Sequence, residues 1–107
     1  MFVKNEDVKL IALGNGVSRK ILAYDEKIMT VEVSFEKGAV GKPHKHPHSQ
    51  ISYVLEGSFE AVIGDTKTVI SKGDTYVVAP NEVHGVVCIE KGKLLDVFTP
   101  MREDFIS

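Results

Sequence analysis

The sequence predicts an all-β protein with a single domain, and three observations lead to this prediction. The 107 residues fall into short stretches rich in Val, Ile, Thr and aromatic residues, which favour extended strands. Turn-forming pairs such as Gly-Asp and Lys-Gly recur between those stretches. No stretch combines long helical periodicity with caps at both ends. Many short strands at this spacing favour a barrel or a sandwich of two sheets.

Eight strands are predicted along the chain, and each ends at a turn signal. They are expected at residues 19–24, 28–35, 51–55, 58–63, 66–70, 75–79, 84–89 and 93–99. Pro80 fits the end of a strand, because proline cannot donate a hydrogen bond to a ladder. The polar stretch 90–92 predicts a turn between the last two strands.

The two ends of the chain leave alternatives open. Residues 8–13 are expected to form a turn of helix or an extended arm, and residues 101–105 a loop or a short helix. We therefore divide the chain into an N-terminal arm or extra strand, residues 1–16, and a barrel, residues 17–107. The arm is spare for a single barrel and could cross to a partner subunit.

Composition argues against several classes of function. The formal charge is −2, from 13 basic and 15 acidic residues, which suggests neither nucleic-acid binding nor attraction to anionic membranes. No apolar run approaches the roughly 20 residues of a membrane span, and the N-terminus lacks the order of a signal peptide. The single cysteine, Cys88, allows no internal disulfide and is expected to be a small buried hydrophobe. A cytoplasmic protein is expected.

Three of the four histidines, His44, His46 and His48, lie within five residues of each other. Neutral imidazole is a common ligand of divalent transition metals. Because alternate residues of an extended segment point to the same side, His44 and His46 can converge on one ion, with His84 arriving from another strand. His48 follows a proline and is expected in a loop or at the rim, where it could bind substrate or orient a ligand.

The first histidine stretch resembles a motif of the cupins, which are small jelly-roll barrels. The family motif is Gly, five residues, His-x-His, three or four residues, Glu, six residues, Gly. The chain has Gly38, His44, His46, Gln50 and Gly57 at this spacing. Glutamine replaces the glutamate of the family motif, and this is the one departure within it.

A second stretch resembles the other cupin motif, which runs from a glycine through a proline to a histidine. Here these are Gly73, Pro80 and His84, although Glu82 stands where the family has a second glycine. The resemblance implies a single-domain cupin jelly-roll β-barrel with one divalent transition metal ion per chain, Ni, Zn, Mn or Fe. The metal ligands that it implies are His44, His46, Gln50 and His84.

The C-terminal part adds a narrower resemblance. The stretch Leu95-Asp96-Val-Phe98-Thr-Pro-Met-Arg102-Glu-Asp104-Phe is similar to the end of small cupins of pectin and alginate degradation. Those proteins open unsaturated uronate monosaccharides to linear keto acids, and they also have glutamine at the fourth metal position. The resemblance implies that Asp96, Phe98 and Arg102 belong to an active site.

Without the resemblance, each of these three residues allows more than one interpretation. Asp96 and Phe98 alternate in a strand and share a face, so Asp96 is either a proton shuttle in the barrel or an exposed, ion-paired carboxylate. Phe98 suits the core or a substrate platform. Arg102 could hold a carboxylate, or pair on the surface with Glu103 or Asp104.

Two tyrosines complete the candidate site. Tyr53 and Tyr76 are expected in strands, where they could line the cavity and bind substrate or pack in the core.

The expected function is that of a metal-dependent cupin that converts ring-form 4,5-unsaturated uronates to linear keto-deoxyuronates. The expected partners are a small anionic sugar and a second copy of the chain in a homodimer. A metal-dependent oxygenase, a sugar isomerase and a non-catalytic sugar-binding cupin are the alternatives.

Overall fold

The computed structural model describes residues 1–106, and within them the chain forms eight strands. The strands are β1 (Ile11–Gly14), β2 (Val17–Tyr24), β3 (Met29–Phe35), β4 (Val40–His44), β5 (Ser49–Ile63), β6 (Thr66–Ser71), β7 (Thr75–Val78) and β8 (His84–Thr99). One turn of 3-10 helix, Asn5–Asp7, precedes them, and a short helix α1 (Glu103–Ile106) follows.

Two long antiparallel strands, β5 and β8, organise the fold. They pair along almost their whole length, from Ser49 opposite Thr99 to Ile63 opposite His84. The first half of β8 also pairs with β4 and its second half with β3. The first half of β5 also pairs with β7 and its second half with β6. Each long strand therefore takes part in two sheets, β1-β2-β3-β8-β5-β7 and β4-β8-β5-β6, which is the layout of a jelly roll.

Facing glycines mark the place where β5 and β8 pass from one sheet to the other. Gly57 has a φ of 75°, and a Cβ on it or on Gly92 would overlap carbonyl oxygens of the opposite strand. The pairing register shifts at this point. The turn predicted at residues 90–92 is therefore wrong: β8 runs through it, because glycine lets the strands bend without reversing.

Two clusters of buried apolar side chains fill the interior. The larger includes Phe35 and Phe59, whose rings meet edge to face with centroids 5.2 Å apart. The smaller consists of Met29, Val31 and Phe98. A cavity touches Phe35 of the first cluster and Phe98 of the second, so it lies where the two clusters meet.

The predicted all-β class is confirmed. Of the alternatives for the chain ends, the N-terminal segment is extended and forms β1, which pairs with β2 of the same chain, and the C-terminal segment ends in α1. The division of the chain at residue 16 stays a prediction. Among residues 1–106, no helix is both long enough and apolar enough to span a membrane.

Candidate metal centre and active site

Three histidines converge because the strands that carry them pair directly. Strand β4 ends at His44 and β8 begins at His84, and the two residues face each other in the ladder. His46 follows two residues after β4 and is buried. One nitrogen from each ring lies within 4.8 Å of the other two. The three rings are therefore positioned to bind one metal ion.

Backbone carbonyls two residues away orient all three rings. Nδ1 of His44 lies 2.8 Å from the carbonyl oxygen of Lys42, and Nδ1 of His84 lies 2.9 Å from that of Glu82. Nδ1 of His46 lies 3.2 Å from the carbonyl oxygen of His48. A hydrogen bond from Nδ1–H to a carbonyl places the proton on that nitrogen and leaves the lone pair on Nε2. Such a pattern is typical of histidines that ligate a metal through Nε2.

Two observations indicate that a cation fits here. Nε2 of His84 is buried and has no hydrogen-bond partner within residues 1–106. His46 has an oxygen at each nitrogen, since Gln50 Oε1 lies 2.9 Å from its Nε2. Burial lowers the pKa of His46, and a neutral ring has one N–H and cannot donate to both oxygens. Two ligand atoms that each lie about 2.1 Å from one ion, at right angles, are about 3.0 Å apart. The 2.9 Å between Gln50 Oε1 and His46 Nε2 therefore fits two ligands of one ion.

A chain of buried hydrogen bonds connects Gln50 to Asp96. Nε2 of Gln50 donates to Ser52 Oγ at 2.9 Å, and the Ser52 hydroxyl donates to Asp96 Oδ1 at 2.6 Å. Gln50 and Ser52 alternate along β5, and Ser52 faces Asp96 across the ladder with β8. Because the amide nitrogen of Gln50 is committed to Ser52, its oxygen is the atom that faces His46.

The Asp96 carboxyl lies in surroundings that oppose its ionisation. Asp96 is only 9% exposed. Burial raises the pKa of Asp96 to about 6, although the hydrogen bond from Ser52 and the positive charge of Arg102 oppose the rise. A carboxyl with a pKa near 6 can both accept and release a proton close to neutral pH.

A cavity of about 250 Å³ joins His44, His84 and Gln50 to Asp96. Phe98 and Arg102 also line it, so the structure brings together the metal candidates and the three C-terminal residues predicted for the active site. Tyr76 lines it as well. Burial and the nearby Asp96 carboxylate raise the pKa of Tyr76 above its usual value, which keeps its hydroxyl neutral.

Arg102 is both buried in the cavity and ion-paired. Its guanidinium carbon lies 5.0 Å from the ring centroid of Phe98 and 4.2 Å from that of Phe105. Its Nε and Nη2 donate to the two carboxylate oxygens of Asp104, at 3.1 and 2.9 Å. These bonds lower the pKa of Asp104. Arg102 is only 8% exposed, so the surface position considered for it is not the one observed.

Two candidates stand apart from the convergent groups. Tyr53 is 43% exposed and lies on the outer face of β5, because its neighbours Ser52 and Val54 take the inner positions. The structure does not bring Tyr53 to the cavity. His48 is partly buried, and its ring meets those of His46 and Phe98 edge-on at 5.4 and 6.4 Å. Its contribution to the metal centre is its backbone carbonyl.

Three residues that contribute to the site were not identified from the sequence: Arg19, Ser52 and Phe105. A signal existed for the first two. Arg19 lies between Val17 and Ile21 in the alternation of β2, so a charged side chain occupies an inward position. Ser52 follows Gln50 at the same two-residue spacing. Phe105 carries no such signal, since only the fold of the C-terminal tail places it against Phe98.

Comparison with a family model gives a match over residues 31–98, and the family is described as a cupin domain. The matched segment contains all four histidines and most of the strands. Among curated proteins, the chain is 50% identical over 96 residues to the pectin degradation protein KdgF of Dickeya dadantii (strain 3937). The alignment covers 88% of this chain and 87% of that protein.

Two solved structures share the fold over nearly the whole chain. One is an RmlC-like cupin from Shewanella frigidimarina NCIMB 400, with a TM-score of 0.94 and 40% identity, covering 97% of this chain and 94% of the other. The other is KdgF from Halomonas sp., with a TM-score of 0.94 and 37% identity, covering 98% and 97%. The predicted jelly roll is confirmed by these similarities.

Proposed function

The chain belongs to the cupin family, and from that premise we propose that it is a metal-dependent enzyme that opens 4,5-unsaturated uronate monosaccharides to linear keto-deoxyuronates. A curated relative is named for pectin degradation, whose unsaturated uronate products suit this proposal. The observation that carries the proposal is one cavity lined by two of the three clustered histidines, a buried carboxyl with a raised pKa and an arginine.

The metal would be held by the three ring nitrogens and the amide oxygen of Gln50. When bound, a divalent ion would supply Lewis-acid polarisation of a substrate oxygen. All four protein ligands are neutral, so the full charge of the ion remains available to an anionic sugar. The donor set suits a divalent transition metal, and Ni, Zn, Mn and Fe are the ions to test.

Arg102 and Phe98 form the substrate wall next to the metal. The guanidinium of Arg102 provides positive charge for the substrate carboxylate. Phe98 lies between that charge and His46, whose ring centroid is 5.7 Å away, and offers a flat apolar surface to the sugar ring. Tyr76 contributes a neutral hydroxyl to the same cavity.

Asp96 would move the proton. Ring opening removes a proton from the anomeric hydroxyl and breaks the bond between the anomeric carbon and the ring oxygen. It leaves an aldehyde and an enolate. Addition of a proton to carbon 4 of the enolate then gives the ketone. Atoms and electrons balance without an oxidant or a second reactant, so one carboxyl that accepts a proton and returns it is sufficient.

The test is to follow unsaturated galacturonate by NMR with the metal-loaded protein. The expected result is that the linear keto acid forms faster than in the spontaneous reaction. Asp96→Asn, which keeps the acceptor for Ser52, is the matched control and should lose most of the acceleration. A wild-type rate equal to the spontaneous rate at full metal occupancy would refute the proposal. Oxygen consumption in the same sample tests the oxygenase alternative, and ligand binding without turnover would favour the binding module.

We further propose that the protein is a homodimer. Strand β1 lies at the edge of its sheet and pairs only with β2 among the described strands. Apolar side chains on and next to it are exposed, with Leu10 at 59% and Leu13 at 47%. An exposed apolar edge strand is prone to pairing with another chain. Light scattering should give the mass of a dimer for the wild type and a lower mass, shifted toward the monomer, for Leu10→Lys. A monomeric wild type would contradict the proposal. The cytoplasmic location stays a prediction.

A further inference from the structure

Two arginines from distant parts of the chain meet at one aromatic ring in the cavity. The guanidinium carbon of Arg19 lies 3.8 Å from the ring centroid of Phe105, and that of Arg102 lies 4.2 Å from it. Arg19 comes from β2 and Arg102 from the segment after β8, and both line the cavity. Burial and the charge of Arg102 lower the pKa of Arg19. Two positive charges at one ring favour a bound anion.

The two arginines differ in what neutralises them. Arg102 gives two N–H groups to both oxygens of Asp104, so that edge of its guanidinium is occupied. Nε of Arg19 is buried without a hydrogen-bond partner in residues 1–106, and no carboxylate there forms an ion pair with it. A guanidinium binds a carboxylate best through two parallel N–H groups. The Nε edge is therefore free in Arg19 and occupied in Arg102, which keeps only the N–H groups that do not bind Asp104.

We propose that Arg19 binds the carboxylate of a monoanionic sugar acid through this free edge, while Arg102 contributes its remaining N–H groups. The identity of the ligand rests on the proposed function. Arg19 lies outside the cupin motifs and outside the C-terminal stretch that resembles the uronate-opening cupins. The proposal therefore adds a residue of β2 to the substrate site.

The charges at this end of the cavity match one carboxylate. Arg19 and Arg102 carry two positive charges, and Asp104 neutralises one of them. A sugar with one carboxylate neutralises the other, whereas a neutral sugar leaves Arg19 without an anion and its Nε unsatisfied. The cavity should therefore prefer galacturonate to galactose, two sugars that differ in this one group.

Calorimetric titration of the metal-loaded protein with D-galacturonate and D-galactose tests this preference without turnover. Wild type should bind galacturonate about 10–100-fold more tightly than galactose. Arg19→Met should reduce the preference to the level that Arg102 and the metal alone support, and should leave galactose binding unchanged. Arg19→Lys, which keeps the charge but loses the paired N–H groups, should be intermediate. Lys20→Met removes the same charge from the next residue of β2, which bonds to Asn5 outside the cavity, and should behave like wild type.

Kinetics and melting separate the possible failures. Arg19→Met should raise KM for unsaturated galacturonate about 10–100-fold, with a smaller change in kcat, and its Tm should equal or exceed that of Lys20→Met. Normal ring opening with an undiminished galacturonate preference in Arg19→Met would overturn the role of Arg19 and leave the proposed function intact. If the preference depends on Arg19 but the wild type opens no uronate, the proposed function is refuted and the role of Arg19 stands. A wild type without the preference, or an Arg19→Met protein that melts early and loses galactose binding too, also overturns the inference.

Discussion

The cavity has two walls of different construction. The histidine wall consists of His44, Gln50 and His84, which line the cavity, and of His46, whose ring neighbours those of His44 and His84. The arginine wall consists of Arg19, Phe98, Arg102 and Phe105. Backbone carbonyls two residues away orient the rings of the first wall, which stand at or near the ends of paired strands. The second wall joins β2, the end of β8 and the C-terminal tail through stacked side chains and one ion pair.

This difference separates metal binding from substrate choice. The histidine wall depends on local backbone geometry, which orients the rings in the same way whatever the substrate is. The arginine wall depends on stacked side chains, and within residues 1–106 none of them forms a hydrogen bond with the histidines or Gln50. Asp96 lies between the two, since it is linked to Gln50 through Ser52, and the positive charge of Arg102 opposes the rise of its pKa that burial causes. Variants of each wall should therefore fail in different ways.

The largest effect is expected for His84→Ala. It removes one of three converging nitrogens and creates a hole at the start of β8. Metal content measured by mass spectrometry should fall far below one ion per chain, and ring opening should fall to the spontaneous rate.

Two variants provide the contrast for this loss of metal. His48→Ala should retain the ion, because His46 uses the backbone carbonyl of His48 and not its ring. Arg102→Lys should also retain the ion while it weakens substrate binding. Equal metal loss in all three variants would erase the distinction between the walls.

Asp96→Asn should lower kcat by about 10²–10⁴-fold, the usual contribution of a general acid–base group. Metal content should stay at the wild-type level, because Asn can still accept the hydrogen bond from Ser52. The pH profile of kcat/KM should rise through an apparent pKa of about 6 in wild type, as the carboxylate forms. A variant that keeps that limb of the profile would show that another group moves the proton.

The same substitution should stabilise the fold at neutral pH. The pKa of Asp96 is raised from 3.8 to about 6 by folding, so the folded protein holds the proton more tightly than the unfolded chain. Stability is lost as pH rises through this window, and the loss is complete above about pH 6.

Urea unfolding of the metal-free proteins measures this loss. Asp96→Asn should match wild type below pH 4 and exceed it by up to about 3 kcal/mol at pH 7.5. Contributions that the two proteins share cancel when they are compared at the same pH. A difference that is the same at both pH values would speak against the raised pKa.

The smallest of these effects is expected for Ser52→Ala. Without the hydroxyl, the amide nitrogen of Gln50 loses its partner, and the amide can turn its oxygen away from His46. Loss of such an orienting hydrogen bond typically weakens metal affinity about 10–100-fold. Competition with a chelator measures the affinity. Ser58→Ala, on the same strand beyond the bend, is the control and should leave it unchanged.

The histidine wall was largely predictable because its information is local. Alternation in an extended segment already predicts that His44 and His46 converge, and the resemblance to the cupin motif implies Gln50 and His84 beside them. The strand pattern likewise predicted the all-β class. The predicted turn at 90–92 was wrong. A glycine at which a strand bends looks the same in sequence as a glycine in a turn, and only the facing glycine of β5 shows that the strand continues.

The sequence by itself determined the fold class, the cupin motifs and the residue types of the metal centre, because strand periodicity and motif spacing are short-range properties. Only the tertiary structure decided how the arginine wall is assembled. Arg19 and Phe105 are 86 positions apart in the chain, and their contact depends on β2 and the C-terminal tail meeting at one end of the cavity. Which guanidinium edge is free depends on a side-chain pairing, between Arg102 and Asp104, that forms only in that packed arrangement.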